Sequence, residues 1–136
     1  TLSLHDALPI SKDTGLAPIE EMPASISVHF ACHARAQNMG PKAMEMLKLI
    51  PGATPQLTER CSGHGGKWGL FKQNFDRAVK VGKPAAKNLM KTNPDLIVSE
   101  CPLAGPHLKQ VIAANGSEPP ERIGHPIEVL AKAYGL

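Results

Sequence analysis

Three times along this chain a short stretch with strand character runs into a cysteine, and each time a helix-forming stretch comes next. Few folds accommodate that order. Over residues 25–31, Ile26, Val28 and Phe30 alternate with Ser25, Ser27 and His29, the period-two pattern of a strand. Cys32 follows, and then a polar loop over 33–40. A helix is expected from Pro41, because proline suits the first helical turn. Its apolar positions are Ala43, Met44, Leu47 and Ile50, and Pro51-Gly52 stops it. Residues 55–60 form a second, weaker strand leading into Cys61 and the glycine-rich loop 62–69. From Leu70 a helix presents Phe71, Phe75, Ala78 and Val79 on one face. Gly82 and Pro84 are expected to break it, with a second helix starting at Pro84. Residues 95–100 form the clearest strand and end at Cys101. Helices around Leu108, Val111 and Ile112, and over 125–134, close the chain.

Strands alternating with helices predict an α/β fold of β-α-β units around a parallel sheet, in two or three layers. Crossovers of one hand point all three strands the same way. Their C-terminal ends then share one edge, where open α/β sheets bind ligands. Cysteines separated by 29 and 40 residues in sequence therefore converge on one place.

Thr1 to Ser11 resembles the in-frame translation of a sequencing-library adapter and is set aside as an artefact, which implies a longer natural chain upstream. Residues 12–24, rich in Pro, Gly and Glu, read as a linker, leaving 25–136 as one cysteine-rich domain. The net charge of +3 is spread along the chain, without the basic stripe and stacking aromatics of a nucleic-acid binder. With aromatics at 4%, Phe30, Trp68, Phe71, Phe75 and Tyr134 are expected to be structural. No apolar run reaches the ~18 residues of a membrane span. Three cysteines cannot all pair with one another, so free thiols in a reducing compartment are expected. That places the chain in the cytoplasm, or peripherally at the inner face of a membrane.

Thiolates gathered at one edge bind zinc, copper(I) or an iron–sulfur cluster. The spacing lacks the C-x-x-C pairs of zinc ribbons and bacterial ferredoxins. The loop Ser62-Gly63-His64-Gly65-Gly66 lets backbone N–H groups approach a ligand closely. Helix N-termini near the cysteines favour an anionic cluster over a neutral zinc site. His33 and His64 are candidate fourth ligands or donors to cluster sulfur. His107 is a weaker candidate, His29 belongs to the strand, and His125 suits a helix entry. The competing reading is that each cysteine is a small buried apolar residue.

HFACH at 29–33, ERCSGHGG at 59–66 and SECPLAGPH at 99–107 together resemble the cysteine-rich "CCG" domain. That domain occurs in heterodisulfide reductase subunits, in the iron–sulfur subunit of anaerobic glycerol-3-phosphate dehydrogenase, and in glycolate or lactate oxidation subunits. This chain has Cys61-Ser62 where the family pattern pairs two cysteines, and Cys101-Pro-Leu-Ala104 where it closes with C-x-x-C. Only Cys32, Cys61 and Cys101 match, so the resemblance implies metal ligation by these three, with Gly63, His64, Gly65 and His33 as further cluster-binding residues. A cubane [4Fe–4S] cluster is implied, with [3Fe–4S] as the form that three thiolates complete.

The resemblance implies an electron-transfer domain of an oxidoreductase of anaerobic metabolism. It implies partners in upstream ferredoxin-like and cysteine-rich segments and in a flavoprotein or quinone-linked carrier, and none in nucleic acid. Two alternatives stand beside it: an open cluster reducing a disulfide-like substrate, and a zinc-bound or metal-free module that docks a redox partner. No nucleophile or acid–base constellation makes this stretch an independent catalyst.

Overall fold

A computed structural model describes residues 19–38 and 40–136; the adapter-like stretch and the first part of the linker stretch lie outside them. Three strands, β1 (Ala24–His29), β2 (Ala53–Thr58) and β3 (Leu96–Ser99), form one parallel sheet in the order β2-β1-β3. The helices are α1 (Cys32–Ala36), α2 (Lys42–Leu47), α3 (Lys72–Met90), α4 (Ala104–Ala114) and α5 (Pro126–Ala133), with a 3-10 turn at Trp68–Leu70. The α/β architecture matches the expectation, and it has three layers.

The two crossovers run from β1 out to β2 and then back across to β3. A constant hand therefore places their helices on opposite faces. On one face Ile26, Val28 and Val98 pack with Ala43, Met46, Leu47, Ile50, Val129, Leu130 and Ala133. On the other, Ile97 packs with Ala85, Ala86 and Leu89 of α3 and with Leu108, Val111 and Ile112 of α4. β1 is thus covered on both sides, and Ser27 and His29 are buried along with Ile26 and Val28. Ser27 Oγ donates to Leu89 O at 2.8 Å, near the C-terminal end of α3, where helix carbonyls lack partners. At the start of the sheet the Ser25 N–H donates to the Asp95 carboxylate at 2.8 Å, pinning β3 to β1. Pro55 is tolerated because β2 is an edge strand. Residues 19–22 lie against the body: Glu20 N–H donates to Ala133 O and Met22 N–H to Pro51 O. Among the described residues, no helix is long and apolar enough to cross a membrane.

The structure corrects three local expectations. The stretch after Cys32 is not all loop, since Cys32–Ala36 is helical. Gly82 and Pro84 do not break the long helix, which runs through both for 19 residues. Pro84 leaves the carbonyl of Lys80 without its usual partner, but Lys80 is on the exposed side of the helix. The buried Ala85, Ala86 and Leu89 hold the far half of the helix against the core. Trp68 and Phe71 are not core residues, being 41% and 49% exposed beside the Cys61 loop.

Candidate functional site

Each cysteine stands just past the C-terminal end of a strand. Cys32 is three residues beyond His29, Cys61 three beyond Thr58, and Cys101 two beyond Ser99. The common direction of the strands carries all three thiols to one edge. Cys32 and Cys61 are exposed and Cys101 is half-buried, so none is a simple core residue. The Cys32 thiol lies in the neighbourhood of Cys61. Partial burial and the neighbouring Cys61 push its pKa up, while Arg35 opposes the rise. Cys101 Sγ lies 3.9 Å from Nε2 of His64, a residue of the Cys61 loop. The Cys61 loop thus reaches Cys101.

The Cys61 loop is seated on α3 by backbone contact. Gly63 has φ +93°, and a Cβ there would meet Ala78 O at 2.2 Å; a Cβ on Gly82 would meet Ser62 O at 2.2 Å. Two residues without side chains let loop and helix touch main chain to main chain. The Gly63 N–H then donates to Cys61 Sγ at 3.4 Å, as the glycine-rich sequence suggests. Gly65 plays a different part: it is exposed, and its carbonyl takes the Trp68 N–H in the following turn.

His29 is structural, and it also joins two of the cysteine-bearing segments. Only 1% exposed, it places Nδ1 2.9 Å from Ser99 Oγ and Nε2 3.0 Å from Arg60 O. A carbonyl can only accept, so Nε2 carries the proton and the Ser99 hydroxyl donates to Nδ1. Ser99 Oγ in turn accepts the Cys101 N–H at 3.3 Å. One imidazole in the central strand therefore links the residue before Cys61 to the backbone of Cys101.

His64 stands with Nδ1 2.6 Å from Oγ of the buried Ser62. Behind it is His107, fully buried, its ring 6.2 Å from those of His64 and Phe75. Neither ring nitrogen of His107 makes a regular hydrogen bond. His33 is exposed on α1, and its charged neighbourhood includes Glu100 and His125. Burial raises the Glu100 carboxyl above the usual range, and His33 partly offsets this. His125 accepts the Ile127 N–H at 3.1 Å and caps α5, the helix-entry role its sequence position suggests.

Helix N-termini support negative charge less widely here than the sequence suggests. The dipole effect fades within one turn. After Cys61 the long helix begins only at Lys72, and α1 is a five-residue turn. Of the longer helices, α4 starts close by, with the Ala104 and Gly105 N–H groups on Cys101 O. Sequence reasoning did not single out Ser62, Ser99 or the bridging role of His29. The available signal was the run of polar residues on one side of β1, which one solvent-facing side would explain equally well.

Burial lowers the pKa of His29, His64 and His107. In the folded chain these rings stay neutral below the ~6.5 of a free histidine, where the unfolded chain already takes up protons. Metal-free protein should therefore hold its full stability above about pH 6.5 and lose it as the pH falls through that value. Urea midpoints at pH 7.5 and pH 5.5 test this, and equal midpoints would refute it.

Residues 26–109 match the model of a family described as the cysteine-rich domain, CCG. The chain is 26% identical over 117 residues to one subunit of the anaerobic glycerol-3-phosphate dehydrogenase of Escherichia coli, covering 85% of this chain and 28% of that protein. It is 28% identical over 108 residues to an iron-sulfur protein of Methanocaldococcus jannaschii, covering 78% and 22%. It is also 28% identical over 95 residues to one subunit of the fumarate reductase (CoM/CoB) of Methanothermobacter marburgensis, covering 67% and 19%. The chain thus spans about a quarter of the length of these relatives. With the family's match running from within β1 into α4 and taking in all three cysteine-bearing strand ends, the chain belongs to the cysteine-rich CCG domain family.

Proposed function

We propose that this domain holds an iron–sulfur cluster on Cys32, Cys61 and Cys101 and serves electron transfer within a larger oxidoreductase. The observation that carries the reading is the delivery of three thiols to one sheet edge, with the Cys61 loop reaching Cys101 through His64. Among the described residues, no three His, Cys, Asp or Glu side chains are grouped to hold a single metal ion. Thiols spread along an edge suit a polynuclear group, whose irons each take a ligand, better than one ion that must gather all of its own. When bound, such a cluster supplies reversible one-electron chemistry. The chain's own part is to fix the ligands and supply donors to them, as the Gly63 N–H does at Cys61.

The cluster in this reading is [4Fe–4S], with [3Fe–4S] as the form that needs no fourth ligand. Of the histidines, His64 reaches a ligand sulfur, its Nε2 lying 3.9 Å from Cys101 Sγ. The domain works in a reducing compartment, the cytoplasm, and exchanges electrons with segments of the larger protein and a flavin- or quinone-linked carrier. The names of two relatives, subunits of a dehydrogenase and of a reductase, support a redox role within a larger assembly. A cavity of about 380 Å³, lined by Cys101, Ser99, Lys109, Arg122 and His125, favours a second reading in which a small substrate reaches the cluster.

Iron, zinc and acid-labile sulfide should be measured in anaerobically reconstituted protein beside a Cys61→Ala variant. Three or four irons with matching sulfide, lost at least tenfold in the variant, is the expected result, since a ligand thiolate has no substitute in alanine. Zinc alone, or no metal, would leave a docking module instead.

A further inference from the structure

Resting on the cluster reading, we propose that His64 is a hydrogen-bond donor to the sulfur of Cys101 and not an iron ligand, its tautomer set by Ser62. Ser62 is 1% exposed, and its hydroxyl lies 2.6 Å from His64 Nδ1. A buried hydroxyl proton needs an acceptor, and leaving it without one costs about 1–3 kcal/mol. Among the described residues, the ring is the one side-chain partner of Ser62. The hydroxyl therefore donates to Nδ1, which as an acceptor carries no proton. A neutral imidazole then bears its proton on Nε2, the nitrogen 3.9 Å from Cys101 Sγ. A protonated Nε2 has no lone pair to give to iron and has a hydrogen to give to sulfur.

Three further features keep the ring in this place. The His64 carbonyl accepts the Gly69 N–H at 2.7 Å, closing the loop over the residue. Gly63 and Gly82 allow the loop to sit directly on α3. His107, buried behind the ring, limits its retreat. Each side of the site then has one donor aimed at sulfur: the Gly63 N–H at Cys61 and the His64 Nε2–H at Cys101.

Donors to a ligand sulfur stabilise the more negative, reduced state of a cluster. Losing the His64 donor should therefore lower the midpoint potential. The expected change is about tenfold less reduced cluster at a fixed ambient potential, or ~59 mV for one electron. His64→Phe and Ser62→Ala should both retain iron and sulfide and both lower the potential, the serine variant less. His64→Gln, which keeps an N–H donor, should recover part of the shift. Pulsed EPR of the reduced parent protein should show weak nitrogen coupling to His64, without the strong coupling of directly bonded nitrogen. In metal-free chain, 15N NMR should find the His64 ring protonated at Nε2.

Strong directly bonded nitrogen coupling that disappears in His64→Phe would overturn the proposal in favour of ligation. So would an unchanged potential, or a ring protonated at Nδ1. Absence of iron from the parent protein would instead overturn the cluster reading beneath it. The NMR result on metal-free chain tells these two failures apart.

Discussion

Gly82→Ala is expected to destabilise the chain by about 3 kcal/mol or more, at the upper end of overpacking effects. Considered locally, the change should help. Gly82 lies inside a 19-residue helix, where alanine is the better helix former by about 1 kcal/mol. The tertiary contact reverses the sign. A Cβ at this position would lie 2.2 Å from Ser62 O and 3.1 Å from a Val111 methyl, and the carbonyl belongs to backbone that cannot turn aside. Either the Cys61 loop lifts off α3 or the helix moves away from α4. Lifting the loop shifts Cys61, Gly63 and His64 together, so iron loading should fall along with stability. Urea unfolding of metal-free protein measures the first effect and iron content the second. A variant as stable as the parent would show that loop and helix are not in backbone contact.

His29→Phe keeps an aromatic of similar size in the central strand and removes both ring nitrogens. The Ser99 hydroxyl and the Arg60 carbonyl lose their partner in a buried place, at a cost of about 1–3 kcal/mol for each unsatisfied group. Destabilisation of about 3 kcal/mol is expected. Ser99→Ala should cost less, since it leaves only the Nδ1 acceptor and the Cys101 N–H to rearrange. If His29 joins the Cys61 and Cys101 segments, iron loading should drop in His29→Phe even in conditions where both variants remain folded. Full loading in His29→Phe would restrict the histidine to packing.

The legible part of this fold is local or follows from chain direction. Alternation at Ile26, Val28 and Phe30 marks β1, and proline and glycine at 51–52 mark the end of the first helical region. Alternation of strands with helices implies parallel pairing, and from that the gathering of the three cysteines follows without any contact being known. The reading of Gly82 and Pro84 as helix breakers failed because propensity is a weak prior when a helix is buried along much of its length. Exposed Trp68 and Phe71 were misplaced for a related reason. Apolar character says which residues can be buried, and a surface retains many of them.

By itself, then, the sequence determined the α/β class and the convergence of Cys32, Cys61 and Cys101 on one edge, because strand period and chain direction are properties of short stretches. The tertiary structure alone decided what surrounds those thiols. The contact of the Cys61 loop with α3 depends on which backbone atoms oppose Gly63 and Gly82. The bridge from His29 joins residues 31 and 70 positions away, and His64 meets a sulfur 37 positions away. Separations of that size leave no trace in local periodicity. They are fixed only when the sheet register and the packing of α3 and α4 bring the loops together.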